Sequence, residues 1–109
     1  MENIQKKLID LVKIHDLEGL KFLLESNEEI DLNFTDIKGK NLLHYAANNI
    51  SEKGLPLIQL LLERKIDPCA LNEKFESAMD VAKNINNNPG LSLMKYFVLK
   101  QNQELQSYL

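Results

Sequence analysis

The chain repeats itself. Sliding it by 36 residues brings 36–64 onto 72–100, with Ala46 on Ala82, Asn48 on Asn84, Gly54 on Gly90, Leu55 on Leu91 and Leu57 on Leu93. Between these identities apolar positions stay apolar: Leu43 with Met79, Tyr45 with Val81, Ile58 with Met94 and Leu61 with Phe97. A third copy lies upstream, where 17–25 matches 55–63 and Ile30-Asp31 matches Ile66-Asp67. A preserved apolar pattern at a fixed period is the mark of a solenoid, in which one unit alone cannot bury its apolar face and stacking supplies the core. The 109 residues then form one domain, 1–109, of three units at about 2–34, 36–70 and 72–103, with a tail at 104–109.

Each unit reads as a helix pair, so the expected class is all-α. Leu17, Leu20, Leu23 and Leu24 recur at the spacing of an amphipathic helix. Leu57, Ile58, Leu60, Leu61 and Leu62 cover more than one stripe, as suits a helix packed on two sides. Shorter helices are expected before them at 4–14, 41–49 and 77–85, where Ala46, Ala47, Ala78 and Ala82 permit close approach. Gly54 and the Pro89-Gly90 pair are expected to break helices between copies. Asp36-Ile37-Lys38-Gly39 is a turn signature: Asp opens it and Gly supplies the positive φ.

Composition narrows the function classes. Thirteen basic residues against sixteen acidic ones give a net charge of −3, which argues against a broad grip on nucleic-acid phosphates. Residues 1–36 hold nine acids and four bases, an end that would favour a basic partner, although a solvated surface is the better account of it. No apolar run approaches the ~20 residues of a membrane span, and the first residues carry no apolar signal core. The single cysteine, Cys69, has no internal disulfide partner. The expected setting is cytoplasmic, or inside a host cell if the chain is delivered there.

The second unit carries a motif. Asp36-Ile-Lys-Gly-Lys-Asn-Leu-Leu-His-Tyr-Ala-Ala47 resembles the D-x-x-G-x-T-P-L-H-x-A-A of the ankyrin repeat family, and Ser77-Ala-Met-Asp-Val-Ala82 resembles its degenerate later form. His15-Asp-Leu-Glu18 followed by 20–25 is similar to the family's first repeat, and the resemblance covers about residues 7–100. It implies an ankyrin-repeat solenoid of stacked helix-turn-helix pairs joined by short β-turn or hairpin loops. It further implies structural roles for Gly39, Ala46, Ala82 and His44, whose imidazole would bond the turn and tie neighbouring repeats, with Asp80 taking its place in the next copy. The chain departs from the pattern at Asn41-Leu42, where the family has Thr-Pro, although Asn41 can still cap the helix. Phe75 stands where the second turn's Gly belongs; a bulky side chain fits an αL position poorly, so that turn is expected to be rearranged. The period exceeds the family's ~33 residues, with the extra residues expected at 49–53 and 85–89, inside the helix pairs.

Catalytic chemistry finds little support. There is no phosphate-cradling or nucleophile-elbow motif, and two His and one Cys lack zinc spacing. His15 reads as a surface helix-end cation, Cys69 as a small packed residue, and Glu28 and Glu29 as solvated loop charges. No enzyme, cofactor or metal is expected. The resemblance implies instead a partner protein bound by the hairpin tips Ile37, Lys38, Lys40, Glu73, Lys74, Phe75 and Glu76, and by concave-face positions Lys13, Ile14, Tyr45, Asn48, Asn49, Val81, Asn84 and Ile85. Tyr45 and Phe75 are the expected anchors. Such a module would serve as an inhibitor, an immunity partner or a host-directed bacterial effector; the alternative is a regulatory domain excised from a larger enzyme or scaffold. The last helix, within 91–103, is apolar almost all round, which leaves two readings open: a second contact such as a homodimer, or cover by residues 101–109.

Overall fold

The computed structural model describes residues 3–26 and 29–106. Six helices follow one another: α1 (Asn3–Lys13), α2 (Leu17–Ser26), α3 (Leu42–Ala47), α4 (Gly54–Glu63), α5 (Ala78–Asn84) and α6 (Asn88–Gln106). No strand occurs among the described residues. α3 packs on α1 and on α5, α6 packs on α4 and on α5, and α1 with α2 and α3 with α4 form pairs. Helices α1, α3 and α5 form one layer, with α2, α4 and α6 behind them.

The shared interior is aliphatic. Leu8 and Val12 of α1, Leu42, Leu43, Ala46 and Ala47 of α3, and Ala78 and Ala82 of α5 meet Leu20, Leu24, Leu57, Ile58, Leu61, Leu62 and Met94 from the rear layer. Each Leu or Ile taken out of water contributes roughly 1.5–3 kcal/mol, so the rows of alternate helices bind the units into one cooperative body. Ala46 and Ala47 of α3 and Ala78 and Ala82 of α5 are fully buried, and their methyl side chains let these two short helices come close without voids.

Three helix ends share one device. His15 (φ 56°), Lys65 (φ 68°) and Asn86 (φ 61°) adopt left-handed backbone after α1, α4 and α5. Asp16 N–H then reaches Leu11 O at 2.9 Å, Ile66 N–H reaches Leu61 O at 3.3 Å, and Asn87 N–H reaches Ala82 O at 2.8 Å. These are Schellman caps made without glycine. The glycines do other work than the sequence predicts. Gly54 and Gly90 are buried within the first turns of α4 and α6, inside helix pairs rather than between copies. A Cβ on Gly54 would lie 2.8 Å from His15 Cε1, so this position is small because a side chain from the previous repeat occupies the space. The extra residues also divide differently. They form the link 48–53 between α3 and α4, but in the third unit Asn88 and Pro89 join α6, leaving only 85–87 as link.

His15 is likewise not a surface cation. It is 7% exposed, its Nδ1 is hydrogen-bonded to Ser51 Oγ at 2.8 Å, and its Nε2 is buried without a partner among the described residues. Burial pushes its pKa down, favouring the neutral ring. Cys69 is exposed rather than packed, and burial of its sulfur together with the Asp67 charge raises its pKa. Of the solvated loop pair, Glu29 is exposed and Glu28 lies outside the described residues. Of the segment 101–109, which one of the two readings places over the last helix, residues 101–106 continue α6, and the side chains of 104–109 lie outside the described residues. On α6 Leu99 is 62% exposed, whereas Val98 is half-buried.

Candidate functional site

The site starts from two turns. In the first, Asp36 Oδ1 accepts from the backbone N–H groups of Lys38 and Lys40, both at 2.9 Å, and Gly39 N–H closes on Asp36 O at 2.9 Å. In the second, Asn72 Oδ1 accepts from Lys74 N–H at 2.9 Å and Glu76 N–H at 3.0 Å, and Phe75 N–H closes on Asn72 O at 3.0 Å. The second turn is therefore not rearranged. Phe75 takes the left-handed conformation (φ 61°) that Gly39 takes in the first (φ 75°). A Cβ on Gly39 would press on the next turn, 3.1 Å from Glu73 N and 3.2 Å from Asn72 Cα. The Phe75 side chain meets no such neighbour and stands 80% exposed. The turns are joined by Glu73 N–H donating to Lys38 O at 2.9 Å.

The helices that follow are capped in the same way. Asn41 Oδ1 accepts from His44 N–H at 3.0 Å while His44 Nδ1 accepts from Asn41 N–H at 3.0 Å; Ser77 and Asp80 repeat the box at 3.1 and 2.9 Å. His44 Nε2 lies 2.8 Å from Glu76 O. A carbonyl only accepts, so Nε2 carries the proton and the ring bridges the cap of one repeat to the turn of the next. Asn41 Nδ2 donates to Asp67 O at 3.1 Å, and Asn87 Nδ2 donates to Ala47 O at 3.1 Å. Turns and front helices are thereby fixed against one another.

Between them lies an open groove of ≈ 440 Å³. It brings together Lys13, Lys40, Tyr45, Asn48, Asn49, Glu76, Val81, Asn84 and Ile85, along with His44 and Asn72. Of the expected concave-face residues only Ile14, 71% exposed, lies outside it. The tip residues Ile37, Lys38, Glu73, Lys74 and Phe75 project beyond the groove as an exposed ridge, with Ile37 95% accessible. Asn72 is absent from the sequence expectation, although its register with Asp36 is visible in the repeat.

Tyr45 is the centre of the groove. Its hydroxyl donates to Asp36 Oδ2, and the ammonium groups of Lys13 and Lys40 sit 5.0 and 5.3 Å from its ring centroid. Burial, the hydrogen bond to Asp36 and the Asp36 charge together push the tyrosine up to about 12. At Asp36 burial raises the pKa, but the Tyr45 hydroxyl, the Lys40 and Lys38 N–H groups and the Lys40 charge outweigh it and bring the carboxyl below its ordinary range. Tyr45 is thus a half-buried platform locked to a turn. Opposite it, Glu76 accepts from Asn72 Nδ2 and Asn84 Nδ2, both at 3.4 Å. Among the described residues no group of three His, Cys, Asp or Glu is placed to hold a metal ion.

No family model matches the chain. A comparison of structures does find a counterpart. The crystal structure of EF0377, an ankyrin repeat protein, superposes with a TM-score of 0.73 over 81% of this chain, at 20% sequence identity. This chain has the ankyrin-repeat fold. It spans 45% of the EF0377 chain. The front helices and turns described above are accordingly the inner helices and fingers of an ankyrin stack, and its groove is the concave face. No helix among the described residues is long and apolar enough to cross a membrane.

Proposed function

We propose that this ankyrin-repeat chain is a non-enzymatic protein-binding module, with its partner lying along the Tyr45 groove and against the exposed ridge at Ile37 and Phe75. The observation that carries the reading is the groove itself: most of its lining comes from successive inner helices and turns whose mutual positions are fixed by His44, Asn41 and the turn-to-turn hydrogen bond. A preorganised surface loses little freedom on binding. Its lining mixes aromatic, aliphatic and amide side chains, the chemistry of a peptide-reading surface, and the ridge adds two exposed apolar side chains at the centre of the fingers. The module acts by occluding or recruiting what it binds.

The test is capture of the bound protein from native cells, identification by mass spectrometry, and titration of that protein against variants. Phe75→Ala removes an exposed side chain and is expected to leave stability within about 0.5 kcal/mol while weakening the partner about tenfold or more. Full affinity in Tyr45→Ala plus Phe75→Ala would place the partner elsewhere.

A further inference from the structure

The groove is charged unevenly. Lys13 and Lys40 converge on one ring and their ammonium groups stand no more than about 10 Å apart. Asp36 keeps its charge beside them, but its oxygens are occupied: Oδ1 accepts from two backbone N–H groups and Oδ2 from the Tyr45 hydroxyl. Lys40 acts on Asp36 through its charge, and neither lysine forms a salt bridge among the described residues. Glu76, the acid that lines the groove, is turned to the amides of Asn72 and Asn84. The two lysines and the carboxylates of Asp36 and Glu76 sum to no net charge, but the carboxylate oxygens are engaged while the ammonium donors are open, on a chain whose net charge is −3. Extended polyanions are repelled by the rest of such a surface, whereas one or two carboxylates delivered at this point are not. Beside the lysines, Asn48 and Asn49 are exposed and make no side-chain hydrogen bond among the described residues, leaving donors and acceptors for a main chain.

We propose that the groove selects an acidic peptide segment, receiving an Asp or Glu side chain between the ammonium groups of Lys13 and Lys40 while Asn48 and Asn49 hydrogen-bond its backbone. The inference rests on the protein-binding reading and names the chemistry of the segment. The two lysines are held on Tyr45 before the partner arrives, so the ion pairs form with less loss of side-chain freedom than on an open surface. Charge steers this encounter and salt weakens it.

The experiment is a nuclear magnetic resonance titration of the isotope-labelled chain with two 12-residue Ser- and Gly-based peptides, one with two central Glu residues, the other with Lys at the same two positions. The acidic peptide is expected to shift the amides around Lys13, Lys40, Tyr45, Asn48 and Asn49, to bind about tenfold more weakly to Lys13→Glu, and to weaken as salt rises. The basic peptide is expected to leave those amides in place. Lys13 is exposed and on no structural hydrogen bond, and Lys13→Gln, which removes charge without reversing it, is expected to fall between. Unmoved groove amides with the acidic peptide, equal response to the basic one, or an indifferent Lys13→Glu overturns the inference. If the captured partner still depends on Tyr45 in that case, the acidic preference alone has failed; if the partner ignores Tyr45, the protein-binding groove has failed with it.

Discussion

His44 is the most informative position to perturb, because its two ring nitrogens serve two different purposes. Nδ1 accepts from Asn41 N–H within its own repeat, and Nε2 donates to Glu76 O in the next. The side chain is 2% exposed. His44→Ala leaves the Asn41 N–H without a partner, removes one of the two donors to the Glu76 carbonyl, which keeps the Asn72 N–H at 2.9 Å, and opens a void; a buried orphaned polar group costs roughly 1–3 kcal/mol. The expected loss is about 3 kcal/mol, a fall in Tm of roughly 13 °C for a domain of this size. His44→Asn keeps an oxygen for the cap, as Asp80 does in α5, but does not reach Glu76. Its expected loss is about 1–2 kcal/mol, that of the inter-repeat bond alone. Urea unfolding, extrapolated to water, reads both, with unchanged slope as the check that only stability moved. Equal losses in the two variants would show that the bridge to Glu76 contributes nothing, and a loss below 1 kcal/mol in the alanine variant would refute the whole assignment.

Other consequences are simpler. The folded-state pKa of His15 is lowered, so the unfolded chain binds the extra proton as pH falls; stability is fully present above about 6.5, the unperturbed value, and declines below it. His15→Asn, which tolerates the left-handed backbone, is expected to flatten that decline in urea melts at pH 7.5 and 5.5. Gly39→Ala, at φ 75° with its Cβ 3.1 Å from Glu73 N, is expected to lose about 1–2 kcal/mol in thermal unfolding, and a neutral result would contradict the turn-to-turn packing.

The architecture was legible where one physical signal dominates. Leucines at helical spacing and alanines on the short helices fix which faces meet, and the register of Asp36 with Asn72 places both turns. The misreadings share a cause: local rules do not know what the neighbouring repeat supplies. His15 has the sequence signature of any helix-end cation, and only the stack brings Ser51 and Gly54 against it. Phe75 violates the preference for glycine at positive φ, but the reason for that preference at Gly39 is the backbone of the following turn, and Asn72 supplies the same side-chain bonds as Asp36. Most of the groove residues were identified through the motif's register. Their electrostatics were not, because the meeting of Lys13 and Lys40 on Tyr45 joins α1, a turn and α3 in space.

Hydrogen–deuterium exchange of the chain with and without its captured partner tests the central claim most directly. Binding through the concave face predicts slowed exchange over the turns 36–40 and 72–76 and along α3 and α5, with α2 and α4 unchanged. Protection confined to the rear helices, with the turns and α3 exchanging as freely as before, would contradict it.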